Sequence, residues 1–251
     1  LIGIFDSGIG GLSVLNRIRA KLPHADLLYV GDRGRAPYGV RRLDEVEEIS
    51  HHVAGWLMDR GADCLVVACN TASAAALDSL RARHRDMVIV GMEPAVKPAA
   101  SWTKTGRVAV FATEATFQGR LFASVVARFA SGIEVINRAC PGWVELVEHG
   151  VVGGPKAIAE VGPVVAEVVA DGADVAVLGC THFAFLKDVI ALTGDIGVID
   201  PSDPVAAQVE RVAPTVDGRG DLTLAASGDV GEFARLAAGI AGLNGPVIPF
   251  P

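Results

Sequence analysis

Aromatic residues make up only 6% of this 251-residue chain, although 51% of it is hydrophobic. A core with so few rings must be filled by small apolar side chains, a composition that suits helices packed on parallel strands. An excess of positive charge is also missing. Twenty-two Lys and Arg stand against 29 Asp and Glu, for a formal charge of -7, which excludes the basic face a nucleic-acid partner requires. No apolar stretch reaches the roughly 18 residues of a membrane span. The chain does not open on a basic segment followed by an apolar one, so a cytoplasmic protein with no membrane partner is expected. Cysteine is scarce: Cys64, Cys69, Cys140 and Cys180. They form no C-x-x-C pair and no zinc-ribbon spacing, and in a reducing cytosol they are expected to be free thiols.

What is present is alternation. Apolar strand candidates at Leu1–Phe5, Asp26–Val30, Cys64–Ala68 and Met87–Val90 are separated by helical patterns at Gly10–Leu22, Leu43–Arg60 and Ala72–Arg83. A polar loop, Gly31–Gly39, follows the second strand. The pattern restarts with strands at Arg107–Phe111, Gly132–Asn137 and Asp174–Leu178 and a helix at Gly153–Val169. This order predicts βαβ units and mostly parallel sheets. Two similar α/β/α domains related by a pseudo-two-fold, with the site in the cleft between them, are expected. Residues 1–92 plus 205–251 form the first and residues 93–204 the second. The crossing is placed at Met92–Pro98, where prolines break elements. The tail, with helices at Val205–Val212 and Val230–Leu243, is expected to return to the first domain.

One repeat carries the functional argument. Gly61-Ala62-Asp63 opens an apolar run ending at Cys69-Asn70-Thr71, and Gly172-Ala173-Asp174 opens another ending at Cys180-Thr181-His182. In each copy the cysteine falls eight residues after the glycine, just past a strand end, where open α/β sheets bind ligands. A thiol at a helix start should be acidified toward neutrality and serve as a base. The neighbouring Asn70, Thr71 and Thr181 offer donors to a carboxylate. Asp6 is a candidate to receive an ammonium group, and Asp6 and His182 are candidates to relay or tune the thiols' protons. Cys64 and Cys140 read as buried filler. A zinc site from Cys69, Cys180 and His182 lacks any supporting short spacing. The loop Asp6-Ser7-Gly8-Ile9-Gly10-Gly11 looks like a phosphate-cradling turn but has neither the P-loop nor the G-x-G-x-x-G pattern. Glycines needed for a tight turn and helix capping explain it equally well.

At these residues the chain resembles the glutamate racemases of the cofactor-independent aspartate/glutamate racemase superfamily. The matching stretches are Phe5–Leu12, Gly31-Asp32 with Pro37-Tyr38-Gly39, Ala68–Ser73, Ala139-Cys140-Pro141 with Leu146-Val147-Glu148, and Gly179–His182. The resemblance implies interconversion of L- and D-glutamate, with D-glutamate supplied to peptidoglycan synthesis. It implies Cys69 as base toward D-glutamate and Cys180 toward L-glutamate, assisted by Asp6 and His182, with Asp32 and Glu148 as further polar participants. Ser7, Tyr38, Gly39, Asn70, Thr71 and Thr181 would hold the substrate, alongside Asp6 and His182. It implies no metal, pyridoxal or nucleotide cofactor, and a homodimer. The competing readings are an aspartate racemase, whose relatives place Glu rather than His after the second Cys-Thr, and a non-catalytic anion-binding α/β protein.

Overall fold

The computed structural model describes residues 1–214 and 218–251. Its strands, numbered in chain order, form two sheets. The first holds β10 (Val247–Pro249), β9 (Leu222–Ala226), β2 (Leu27–Gly31), β1 (Ile2–Asp6), β3 (Cys64–Val67) and β4 (Val88–Gly91), side by side in that order and all parallel. The second holds β6 (Glu134–Ala139), β5 (Arg107–Ala112), β7 (Val175–Gly179) and β8 (Gly197–Ile199), also all parallel. The order β2-β1-β3-β4 is therefore repeated as β6-β5-β7-β8. In both sheets the strand order reverses at the first strand of the unit. Loops after β1 and β3 part in opposite directions there, as do loops after β5 and β7, and each parting leaves a crevice at the strands' carboxyl ends.

Between the strands run α1 (Leu12–Lys21), α2 (Leu43–Met58), α3 (Asn70–Arg83), α4 (Val96–Trp102), α5 (Glu114–Gln118), α6 (Arg120–Phe129), α7 (Pro141–Glu148), α8 (Gly154–Ala170), α9 (Lys187–Thr193), α10 (Ser202–Val212) and α11 (Val230–Ala241). Both faces of each sheet are covered, which is why the strands are nearly continuous apolar runs. On one face of the first sheet Phe5, Val30, Leu65 and Val67 pack under α2 and α3. The other face, with Ile4, Tyr29 and Val66, merges with Phe111, Leu178, Trp143 and Phe183 of the second half into one core. Trp143 is its largest buried side chain, 4.9 Å from Phe111 and 5.0 Å from Phe183 between ring centroids.

Several boundaries differ from the sequence reading for identifiable reasons. Helix α3 begins at Asn70 rather than Ala72, because the Cys69 thiol itself accepts the Ala72 N–H at 3.5 Å and caps the first turn. The crossing segment is not a simple break: α4 starts at Val96 with Pro98 in its first turn, where the missing N–H has no helical partner to lose. Helix α11 stops at Ala241, since Gly242 turns left-handed (φ 65°) and Leu243 N–H reaches back to the Ala237 carbonyl at 3.0 Å. The polar loop after β2 contains two 3-10 turns, Arg33–Arg35 and Tyr38–Val40. The tail returns to the first sheet as β9 and β10. Among the described residues no helix is long and apolar enough to cross a membrane.

Candidate active site

The two crevices face each other across one cavity of about 130 Å3, well below the roughly 300 Å3 at which drug-sized pockets begin. From the first half it is lined by Ser7, Tyr38, Gly39, Cys69, Asn70 and Thr71, and from the second by Thr113, Glu145, Cys180, Thr181 and His182, among others. Most of these groups follow a strand end or open a helix or 3-10 turn, so the parallel topology delivers them to one point; Glu145 comes instead from within α7. Asp6, Asp32 and Glu148 do not line the cavity. They stand behind the residues that do.

Cys69 is 5% exposed. Its Sγ lies 3.9 Å from Ser7 Oγ and 3.5 Å from the Ala72 nitrogen. Burial, reinforced by the nearby Asp6 charge, pushes this thiol far above its ordinary pKa, and the Ala72 N–H only partly offsets the rise. The expectation of a thiol acidified to near neutrality is therefore corrected for Cys69: one helix N–H does not outweigh removal from water. Cys180 Sγ sits 3.8 Å from His182 Nδ1. Burial works against the charged imidazole, but the hydrogen bonds and charges of Cys180 and Glu148 outweigh it and hold His182 well above its usual range. Glu148 in turn is brought down to about 2 against its burial, by the His182 bond at 2.7 Å, the Ile9 N–H at 2.8 Å and Arg33 at 2.7 Å.

Asp6, wholly buried, accepts from Gly8 N–H at 2.8 Å and from Thr181 Oγ1 at 2.9 Å. The second contact joins the two halves. Desolvation raises Asp6 above an ordinary carboxylate, opposed by the His182 charge and these two bonds. Each of its oxygens thus accepts from a protein donor. Asp32 accepts from Tyr38 Oη at 2.6 Å and from Ser227 Oγ at 2.7 Å, and pairs with Arg35 at 3.0 Å. It thereby fixes the Tyr38 ring at the cavity wall, and Tyr38 is driven strongly upward in pKa by burial and by Asp32.

The glycine-rich loop binds an anion after all, but an internal one. Ile9 N–H is taken by Glu148 and Gly8 N–H by Asp6. A Cβ at Gly8 would collide with Glu148 Oε1, and one at Gly10 with the His182 ring. The glycines let the second half seat against the first. Gly39 plays the same part on the other wall, where a Cβ would come within 2.6 Å of Thr113 Cγ2.

Asn70 is 3% exposed and lines the cavity, and among the described residues neither its Nδ2 nor its Oδ1 has a hydrogen-bond partner. A buried amide left so costs free energy until a ligand pairs with it. Thr71 Oγ1, by contrast, meets Thr113 Oγ1 at 3.0 Å across the halves, and Thr113 caps α5. Among the described residues no three His, Cys, Asp or Glu side chains converge as a metal set.

The sequence reading did not single out Thr113, Glu114, Val144 and Glu145 as cavity residues. Thr113-Glu114 occupies the position after β5 that Ser7 occupies after β1, so the internal repeat pointed to it. Pro141, Val144, Glu145 and Glu148 share one face of α7 by helical period, so Glu148 alone led back to the others. Arg33, which holds Glu148, left no such signal.

Comparison with known proteins agrees with this geometry. The family profile described as Asp/Glu/Hydantoin racemase matches residues 12–211. The chain belongs to the Asp/Glu/hydantoin racemase family, and is an isomerase by class. It is 46% identical over 246 residues to a glutamate racemase of Roseiflexus sp. (strain RS-1), covering 94% of this chain and 90% of that one. It is 45% identical over 216 residues to a glutamate racemase of Pseudomonas paraeruginosa, covering 85% and 82%. Among solved structures, the Escherichia coli glutamate racemase in complex with L-glutamate and the activator UDP-MurNAc-ala is similar with a TM-score of 0.88 and 27% identity, over 99% of this chain and 96% of that one. The Francisella tularensis glutamate racemase in complex with D-glutamate is similar with a TM-score of 0.86 and 25% identity, over 100% and 97%.

Proposed function

We propose that this chain interconverts L- and D-glutamate by a two-thiol acid/base reaction that uses no cofactor. The observation that carries the reading is the pairing of Cys69 and Cys180, each from its own sheet, on one small cavity that also presents an unpartnered Asn70 amide. One sulfur, as thiolate, takes the α-proton; the other, as thiol, gives a proton to the opposite face of the same carbon. Net charge is conserved, and the two sulfurs end with their protonation states exchanged. Cys69 acts on D-glutamate and Cys180 on L-glutamate, in line with the family resemblance.

Asn70, Thr71 and Thr113 supply donors for the carboxylates, Thr181, whose hydroxyl proton goes to Asp6, offers its oxygen to the substrate ammonium, and Ser7 and Tyr38 complete the wall. His182, as imidazolium, stabilises the Cys180 thiolate. Asp6, Asp32 and Glu148 are positioning residues that hold Thr181, Tyr38 and His182. Enclosure makes these donors effective against the carbanion charge that develops at the α-carbon, because little water competes for it. The expected boundary at 204/205 would cut α10, a single helix from Ser202 packed on α1, so residues 1–92 with 202–251 move as one body and 93–201 as the other, opening the cavity to admit substrate. The product serves peptidoglycan synthesis in the cytoplasm, and the working unit is a homodimer.

The test is Cys69→Ala and Cys180→Ala assayed with both glutamate enantiomers, with aspartate alongside. Racemisation should vanish in each variant while calorimetry still detects glutamate binding. Turnover surviving in either variant would overturn the two-thiol scheme, and faster turnover of aspartate would overturn the substrate.

A further inference from the structure

Arg33 occupies the 3-10 turn after β2 and takes no part in lining the cavity, yet it is placed between both halves of the molecule. Its Nε donates to Glu148 Oε2 at 2.7 Å, its Nη2 to the Glu148 backbone carbonyl at 3.3 Å, and its Nη1 to Glu232 Oε2 at 3.1 Å. The Arg33 and Glu148 side chains are only 15% and 13% exposed. Glu148 closes α7 of the second half, whereas Glu232 lies in the first turn of α11, next to the first sheet. The remaining Glu148 oxygen, Oε1, receives His182 Nε2 at 2.7 Å and Ile9 N–H at 2.8 Å.

We propose that Arg33 is a positioning residue for the reaction: its guanidinium fork, anchored on Glu232, holds Glu148 Oε2 so that Oε1 is committed to His182, which fixes the imidazole beside Cys180 and clamps the two halves together. The proposal rests on the reading of Cys180 as a base. A planar fork fixes carboxylate orientation in a way that a single point charge does not. The ion pair also sets what the imidazole feels. With Arg33 in place, the Glu148 charge that favours the imidazolium is partly offset; without it, the full carboxylate charge moves the deprotonation of His182 to still higher pH. The other groups facing that ring are Cys180 on the Nδ1 side and Asp6 from β1. Glu145 of α7 lines the same cavity, and Lys187 and Asp188 of α9 point to solvent.

The experiment compares the 15N-imidazole NMR titration of His182, assigned by its loss in His182→Asn, in the parent protein, Arg33→Met and Arg33→Lys. Rates from each glutamate enantiomer are measured on the same samples. Arg33→Met should raise the His182 midpoint and lower kcat/KM by about tenfold or more, equally from L- and D-glutamate because their equilibrium constant is one, with the loss divided differently between kcat and KM in the two directions. Arg33→Lys should restore the midpoint through its charge but only part of the rate, having lost the fork. An unchanged His182 titration, or an unchanged kcat/KM, in Arg33→Met would overturn the proposal and leave a purely structural ion pair. If Arg33→Met does not fold, Arg33→Lys and Glu232→Gln carry the same test. Because the titration needs no turnover, a parent protein inactive on glutamate would defeat the proposed function without deciding the role of Arg33.

Discussion

The thiol of Cys69 is pulled down in pKa by one helix N–H at 3.5 Å and pushed up by loss of water, and the second influence dominates. A proton-bearing, buried sulfur at rest should react slowly with alkylating agents. Mass spectrometry after brief iodoacetamide treatment at pH 8 is expected to find Cys69 far less modified than an unhindered thiol; equal modification would contradict the enclosed site. Asn70 poses the opposite problem, an amide left without protein partners at the wall of the cavity. Asn70→Ala is expected to leave thermal stability unchanged or higher by about 1 kcal/mol, since a buried unsatisfied group costs roughly that. The same variant should lose about ten- to hundredfold in kcat/KM. Melting curves and steady-state kinetics on one preparation check both signs.

At the scale of elements, the strands that carry the two thiols were legible because Cys64–Val67 and Val175–Gly179 are fully buried apolar runs, each opened by a Gly-Ala-Asp turn. Repetition made the site legible too, since it named both cysteines and the loops beside them. Less could be read where elements are short. Strands β8 and β10 have three residues each, too few to show a period, and Gly119 in extended backbone divides α5 from α6 and hides the helical pattern. Nor does a sequence tell which anion a glycine-rich loop binds; here it is Glu148, reached only through the fold. Gly8→Ala should therefore abolish most activity by displacing Glu148 and His182 while far-UV circular dichroism stays native. Trp143→Ala, which empties the space between Phe111 and Phe183, should destabilise the protein by about 3–5 kcal/mol in chemical denaturation.

Over the whole molecule, the two halves share one apolar core and meet at polar contacts as well, among them Asp6 with Thr181, Ile9 with Glu148, Arg33 with Glu148, and Thr71 with Thr113. Glu148 makes two of these four, and its pKa falls from an ordinary 4.5 to about 2. A carboxyl lowered on folding contributes stability that is complete above the unfolded value and is lost as pH falls toward the folded one. The stability advantage of the parent protein over Glu148→Gln should thus be full above about pH 5 and shrink between pH 4.5 and 2. His182, raised on folding, contributes in the reverse sense: its share is full below about pH 6.5 and fades as pH rises through its elevated value. Urea titrations of both proteins across this range measure the difference.

The repeated βαβ unit brings two thiols to one cavity, and the account stands on their acting separately on the two faces of one carbon. The most direct test is racemisation in deuterated water, started from each glutamate enantiomer and sampled early. Separate thiols should place solvent deuterium in the newly formed enantiomer and almost none in the recovered starting material. Equal early deuterium in both enantiomers would mean a single shared base, and would contradict the account.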